Sequence, residues 1–303
     1  MAFPVLVAAI VFVSPATADA FERTLSCHGS GVFACDEGQQ PVPVAWRRSC
    51  VDLYLNPEFA DSIADPTAVQ AAVAASVDAW DQVMDSQLRL RLAGQTDERR
   101  VGYANACDDN VNAIIFVPEQ WQDSPGAQRN VVALTSVTYE FRTGTILDAD
   151  IEVNLEFHPW ELLEAANPLS SSHDLQGTLT HELGHLLGLD HTLPETFAGP
   201  ESQSWQSTTM FARTEPGEIF KRTLESDDRA GLLDAYGPDA PSPGPCRAQG
   251  PTFQPAARQA PGTECAREPE GCSARHTAPD VAHVLPLAAG LLVLRRRRCR
   301  GCP

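Results

Sequence analysis

Basic residues are scarce in this chain. Its 303 residues carry 22 Lys and Arg against 40 Asp and Glu, a formal net charge of −18. A surface that grips phosphate needs clustered cations, which argues against nucleic acid and anionic lipid as partners and leaves the acids mostly as a solvated surface. Long apolar runs are missing too: the two apolar segments, one at each end, fall short of the ~20 residues a helix needs to cross a bilayer. Methionine numbers only three, and Met210 alone follows residue 191. Apolar material as a whole is not short. At 43% hydrophobic content the chain can bury a real core in one or two domains.

The two ends read as processing signals. "MAFPVLVAAIVFVSPATADA" is an apolar run followed by small-x-small sites, which predicts a secretory signal over residues 1–20, cleaved near Ala18 or Ala20. Export makes disulfides available to the nine cysteines. Cys27, Cys35, Cys50 and Cys107 permit three pairings, of which Cys27 with Cys35 and Cys50 with Cys107 is favoured, and none has the spacing of a second zinc site. A Cys-containing segment, 21–42, then leads into the main domain, 43–238. Residues 239–280 are rich in Pro, Ala and Gly and read as an extended linker. Residues 281–303 join a short apolar stretch to the arginine cluster Arg295 to Arg298, a pattern of the cytoplasmic side of a membrane.

Chemistry concentrates in "THELGHLLGLDH", Thr180 to His191, which sets three of the eight histidines and one glutamate in an apolar run. Burying such groups costs free energy unless each polar atom finds a partner. On a helix His181 and His185 lie about 40° apart, one turn from each other, so both rings reach one point. Glu182 stands beside that point. Gly188 lets the chain leave the helix with positive φ and return His191 as a third ligand. Three neutral imidazoles suit Zn²⁺, which leaves its fourth position to water and lowers that water's pKa to about 7, so that Glu182 can take the proton. The bland alternative is a core helix with satisfied histidines.

His181, Glu182, His185, Gly188 and His191 match H-E-x-x-H-x-x-G-x-x-H at every fixed position, and this resembles the metzincin zinc peptidases. Met210 in "STTMFA" resembles their methionine turn, and "ESDDRAGLLDAYGP" resembles the C-terminal helix of the matrixin branch, with Ser226 as N-cap and Asp227 and Asp228 complementing the helix dipole. The similarity spans roughly Pro43 to Pro238. It implies an α/β (α+β) zincin fold: a twisted, mostly parallel sheet, an active-site helix, a methionine turn and a C-terminal helix. It implies a zinc endopeptidase with His181, His185 and His191 on the metal, Glu182 as general base, and Gly188 and Met210 as structural support. Tyr236 packs rather than reacts. The substrate is a protein or peptide whose backbone pairs with the strand "VVALTSVTY". Two departures stand out: the His191-to-Met210 connection is longer than in compact matrixins, and Thr192 replaces the usual serine or glutamate. The tail, with Gly271 and Cys272 before its apolar stretch, resembles MYXO-CTERM surface-sorting tails. An exported monomer at the cell surface, outer membrane or in the medium follows, touching a membrane only through that tail.

Other classes fit the same motif: a catalytically silent zinc-stabilised adhesion module, or a zinc hydrolase of cell-wall amides. Elsewhere, Asp65 and Pro66 mark a helix start, with Val69, Val73, Val77, Trp80 and Met84 on one stripe. Strands are predicted at "VDLYLN", "LRLRL", "AIIFV" and "VVALTSVTY". Asp148, Asp150 and Asn154, read as loop residues, are a candidate Ca²⁺ site.

Overall fold

The computed structural model describes residues 20–27, 34–103, 110–124, 126–192 and 206–241, together with the backbone of 281–285 and 293–297. Residues 1–19, Cys107, the 193–205 part of the long connection, and Gly271 and Cys272 lie outside the described residues.

The architecture is mixed α/β: a seven-stranded sheet with helices on one face. Its strands are β2 (Cys50–Leu55), β3 (Arg89–Gln95), β4 (Asn112–Val117), β5 (Ala133–Glu140), β6 (Ile146–Asn154), β10 (Val281–Leu285) and β11 (Val293–Arg297), in the order β11-β10-β5-β6-β4-β2-β3. Short strand pairs flank it: β1 (Glu22–Arg23) with β9 (Leu189–Asp190), and β7 (Trp160–Glu161) with β8 (His173–Asp174). The sheet is parallel only across β3, β2, β4 and β6; β5, β10 and β11 run antiparallel to their neighbours. The expectation of a mostly parallel sheet is corrected to that extent. A hairpin return suffices to add an antiparallel strand, whereas each parallel one needs a crossover.

Helix α1 (Pro66–Asp81) starts where the sequence says it should. Asp65 accepts from the amides of Thr67 and Ala68, with Pro66 in the first turn. Val69, Val73, Val77 and Trp80 are buried in the core, but Met84 is 80% exposed because the helix ends at Asp81. α1 packs on α2 (Leu175–Leu186), which in turn lies on β5 and β6, and α3 (Ser226–Tyr236) adds Leu232, Ala235 and Tyr236 to the same core. Cys27 and Cys35 form a disulfide. Cys50 is disulfide-bonded as well, and its expected partner lies outside the described residues.

The strand β6 was not anticipated. Ala149, Ile151 and Val153 join the helix-side core, while Asp148, Asp150, Glu152 and Asn154 are buried on the opposite face. The loop reading of these acids is wrong, because the alternation of two residues is that of a strand covered on both sides. The three-residue calcium site fails with it. Asn154 lies six residues along the strand from Asp148, about 20 Å at the usual rise. Its amide is spent, donating to Val131 O and accepting from Phe157 N. Asp150 accepts from the amides of Gly102 and Ala113, and Asp148 Oδ1 from Asn110, which leaves Asp148 Oδ2 buried without a donor. A proton held on either of the two neighbouring carboxyls would supply one. Burial drives Asp148 up to about 6 and Asp150 well above the carboxylate range, the latter also through the Asp148 charge.

The C-terminal stretch expected to be an apolar membrane segment contributes β10, antiparallel to β5 with Val281 opposite Glu140 and Val284 opposite Val137. Among the described residues no helix is long and apolar enough to cross a membrane.

Candidate metal centre

Helix α2 is capped by Asp174, which accepts from Gly177 N at 2.8 Å and is paired with Arg222. This end fixes the phase of the helix, so His181 and His185 both turn inward beneath the sheet. The helix ends at Leu186 with Leu187 as its cap, Gly188 takes φ +85°, and β9 brings His191 back. Gly188 is required twice over: a Cβ there would stand 2.2 Å from Val44 O. On its other side β9 pairs with β1, so Glu22 and Arg23 are held beside the chain that carries His191.

The three imidazoles are buried, and their ligand atoms lie within 4.8 Å of one another. His185 Nε2 and His191 Nε2 are 3.2 Å apart. Two nitrogens bound tetrahedrally to zinc at 2.0–2.1 Å would stand about 3.3 Å apart, so this pair already has the spacing such an ion would need. The outer ring nitrogens are already engaged. His181 Nδ1 is 2.6 Å from Thr209 O and His185 Nδ1 is 2.9 Å from Leu189 O, so each Nδ1–H donates to a carbonyl and leaves Nε2 as a lone pair facing inward. Burial holds His181 well below its usual pKa, aided by Lys221 and the other two histidines. Burial and His191 hold His185 at about 3. These two rings are therefore neutral at physiological pH, the state a ligand needs.

Glu182 is buried beside them. Burial pushes its carboxyl up to about 7, partly offset by the hydroxyl of Thr135.

Met210 is 1% exposed and packs against α2 at Gly184, between the two helical histidines in sequence. It occupies space that a side chain at position 184 would need: a Cβ on Gly184 would meet Met210 Sδ at 2.2 Å and Trp80 at 3.0 Å. Asp228 reaches from α3 to hold this turn, accepting from the amides of Thr209 and Met210 at 2.9 Å each. Asp227 instead accepts from the amides of Ala20 and Phe21. The two acids thus tie α3 to other segments, and Glu225, not Ser226, is the cap residue. The buried Lys221 donates to Thr209 O and Phe211 O from the other side. Tyr236 is used structurally, donating to Leu187 O and accepting from Trp46 N.

Sequence reasoning missed Thr135, Gly184 and Lys221. Gly184 carried a signal, since glycine inside a helix is costly and marks close approach. Thr135 and Lys221 carried none, because their partners are distant in sequence.

No family model matches the chain. Over 66 residues it is 39% identical to Metalloendoproteinase 1-MMP of Arabidopsis thaliana, a match covering 22% of this chain and 15% of that protein. The matched stretch is a small part of that protein, and what the structure itself offers is a three-histidine cluster able to hold a metal ion.

Proposed function

We propose that the chain is a zinc-dependent endopeptidase of metzincin type, matrixin-like in its methionine turn and C-terminal helix. The observation that carries this reading is a buried set of three converging imidazoles with a carboxylate, Glu182, next to one of them on the same helix. Zinc, held by His181, His185 and His191, would polarise the scissile carbonyl and acidify a water. Glu182 accepts the proton of the attacking water and passes it to the leaving amine, breaking the C–N bond. Met210 and Gly188 shape the floor and the exit of the ligand helix. A peptide substrate is read through its backbone along the outer edge of β5, a use of sheet edges that needs no particular side chain. In the structure β10 lies along that edge, so substrate and tail compete for it.

Export is part of the same proposal, supported by the leader-like residues 1–20 and by the Cys27–Cys35 disulfide, a bond typical of oxidising compartments. The tail is then a surface-sorting segment cut near Cys272; intact-mass measurement of protein from the native cell surface tests this, and a species retaining Arg295 to Arg298 overturns it. The function itself is tested by Glu182→Gln. Zinc content stays at one per chain while peptide hydrolysis falls at least ~10²-fold, the usual scale for a lost general base. Retained hydrolysis would remove Glu182 from the reaction, and zinc unchanged by His185→Ala would remove the metal site.

A further inference from the structure

Resting on the peptidase reading, we propose that Thr135 is a positioning residue whose hydroxyl decides which oxygen of Glu182 is presented to the reacting water. Thr135 is fully buried on β5, on the face that packs against α2. Its Oγ1 is 2.5 Å from Glu182 Oε2 and 3.1 Å from the main-chain oxygen of the same residue. One hydroxyl therefore spans both ends of Glu182 and ties the carboxylate to the frame of its own helix. A glutamate side chain has three rotatable bonds, and holding it in one arrangement in advance lowers the entropy lost on reaching the reactive geometry.

The contact also divides the labour between the two carboxylate oxygens. Oε2 is committed to Thr135, which leaves Oε1 to meet the water. A hydroxyl both donates and accepts. It donates to Oε2 of the carboxylate; when Oε2 carries a proton it accepts that proton's hydrogen bond and turns its own hydrogen to the Glu182 carbonyl. The position could have been filled without any polar group, since Val137, two residues along the same face of β5, packs into the core. Valine has nearly the shape of threonine and offers neither hydrogen bond, so Thr135→Val isolates the hydroxyl.

The experiment compares full-length Thr135→Val and Thr135→Ser with the parent protein by zinc content, melting temperature, kcat and KM on a peptide the parent cleaves, and crystal structures of the zinc-loaded forms. Thr135→Val should keep zinc and KM, lose kcat by at least ~10-fold, and show the Glu182 carboxylate moved from its parent position. Thr135→Ser should restore both kcat and the carboxylate. A Thr135→Val protein whose carboxylate is unmoved, or whose kcat stays within about twofold of the parent, overturns the proposal. So does equal loss in Thr135→Ser, since the hydroxyl is then not the cause. Should the valine variant fail to fold, Thr135→Ala is read by the same criteria. If the parent protein cleaves no peptide, the peptidase reading fails on its own, and the carboxylate position in the crystals still decides the role of Thr135.

Discussion

Replacing Gly188 with alanine tests whether the return of His191 depends on backbone geometry. At φ +85° any residue with a Cβ costs about 1–2 kcal/mol. The new Cβ would stand 2.2 Å from Val44 O, so ordinary contact at 3.4 Å requires a withdrawal of 1.2 Å, the difference of the two. Neither side can withdraw freely. Val44 O accepts from Arg23 Nη2, Val44 N donates to Thr24 O, and Thr24 N donates to Gly188 O. Such overpacking adds about 1–3 kcal/mol, giving roughly 2–5 kcal/mol in all. For a folded unit near 200 residues, where about 1 kcal/mol shifts Tm by about 2–4 °C, melting should fall by roughly 4–20 °C. Because Gly188 lies midway between His185 and His191, zinc affinity should fall too. Melts of apo and zinc-saturated protein, with a chelating dye in competition, measure both effects. Gly188→Asn is the control, since asparagine tolerates positive φ but brings the same Cβ. An asparagine variant melting with the parent, or an alanine variant within about 2 °C of it, would refute the argument.

The Asp148–Asp150 pair predicts a pH dependence. With folded pKa values raised above those of the unfolded chain, the pair stabilises fully below about pH 4, and that contribution is lost as pH rises through about 6. Asp148→Asn keeps an acceptor for Asn110 and donates permanently to Asp150, so it should be more stable than the parent at pH 8 by on the order of 1–3 kcal/mol, with the difference shrinking towards pH 4. Denaturant titrations at both pH values check this, and a less stable variant at pH 8 contradicts the shared proton. For the sheet edge, Ala282→Pro removes a backbone donor from β10, which pairs with β5 there opposite Tyr139. In the uncleaved full-length protein competition for the edge then weakens, and KM for peptide substrates should fall with kcat unchanged; equal KM in the two uncleaved proteins would show that the tail does not contest the cleft. Asp228→Ala should loosen the turn that carries Met210 and Thr209 O, lowering zinc affinity by about tenfold, read by the same dye competition. Unchanged affinity would show that His181 needs no support from that turn.

Local sequence determined a good deal of this protein. The four-residue spacing of His181 and His185 acts within one helical turn, the glycine at 188 acts within its own backbone, and Asp65 with Pro66 sets the start of α1 through hydrogen bonds two and three residues away. Such features need only neighbours in the chain, so composition and periodicity display them. The stripe Val69, Val73, Val77 and Trp80 was legible for the same reason, and it failed at Met84 where the helix stopped. In β6 the alternation was present in the letters, but acids on a covered face look the same as acids in a loop until the second covering layer is known. What only the tertiary structure decided are the contacts between distant segments: Thr135 on Glu182 across 47 positions, Lys221 on the carbonyl of Thr209, Asp227 on the amides of Ala20 and Phe21, and β10 along the outer edge of β5. A hydroxyl or an ammonium finds its partner through the packing of whole elements, and no pattern confined to a short stretch of sequence encodes which partner that is.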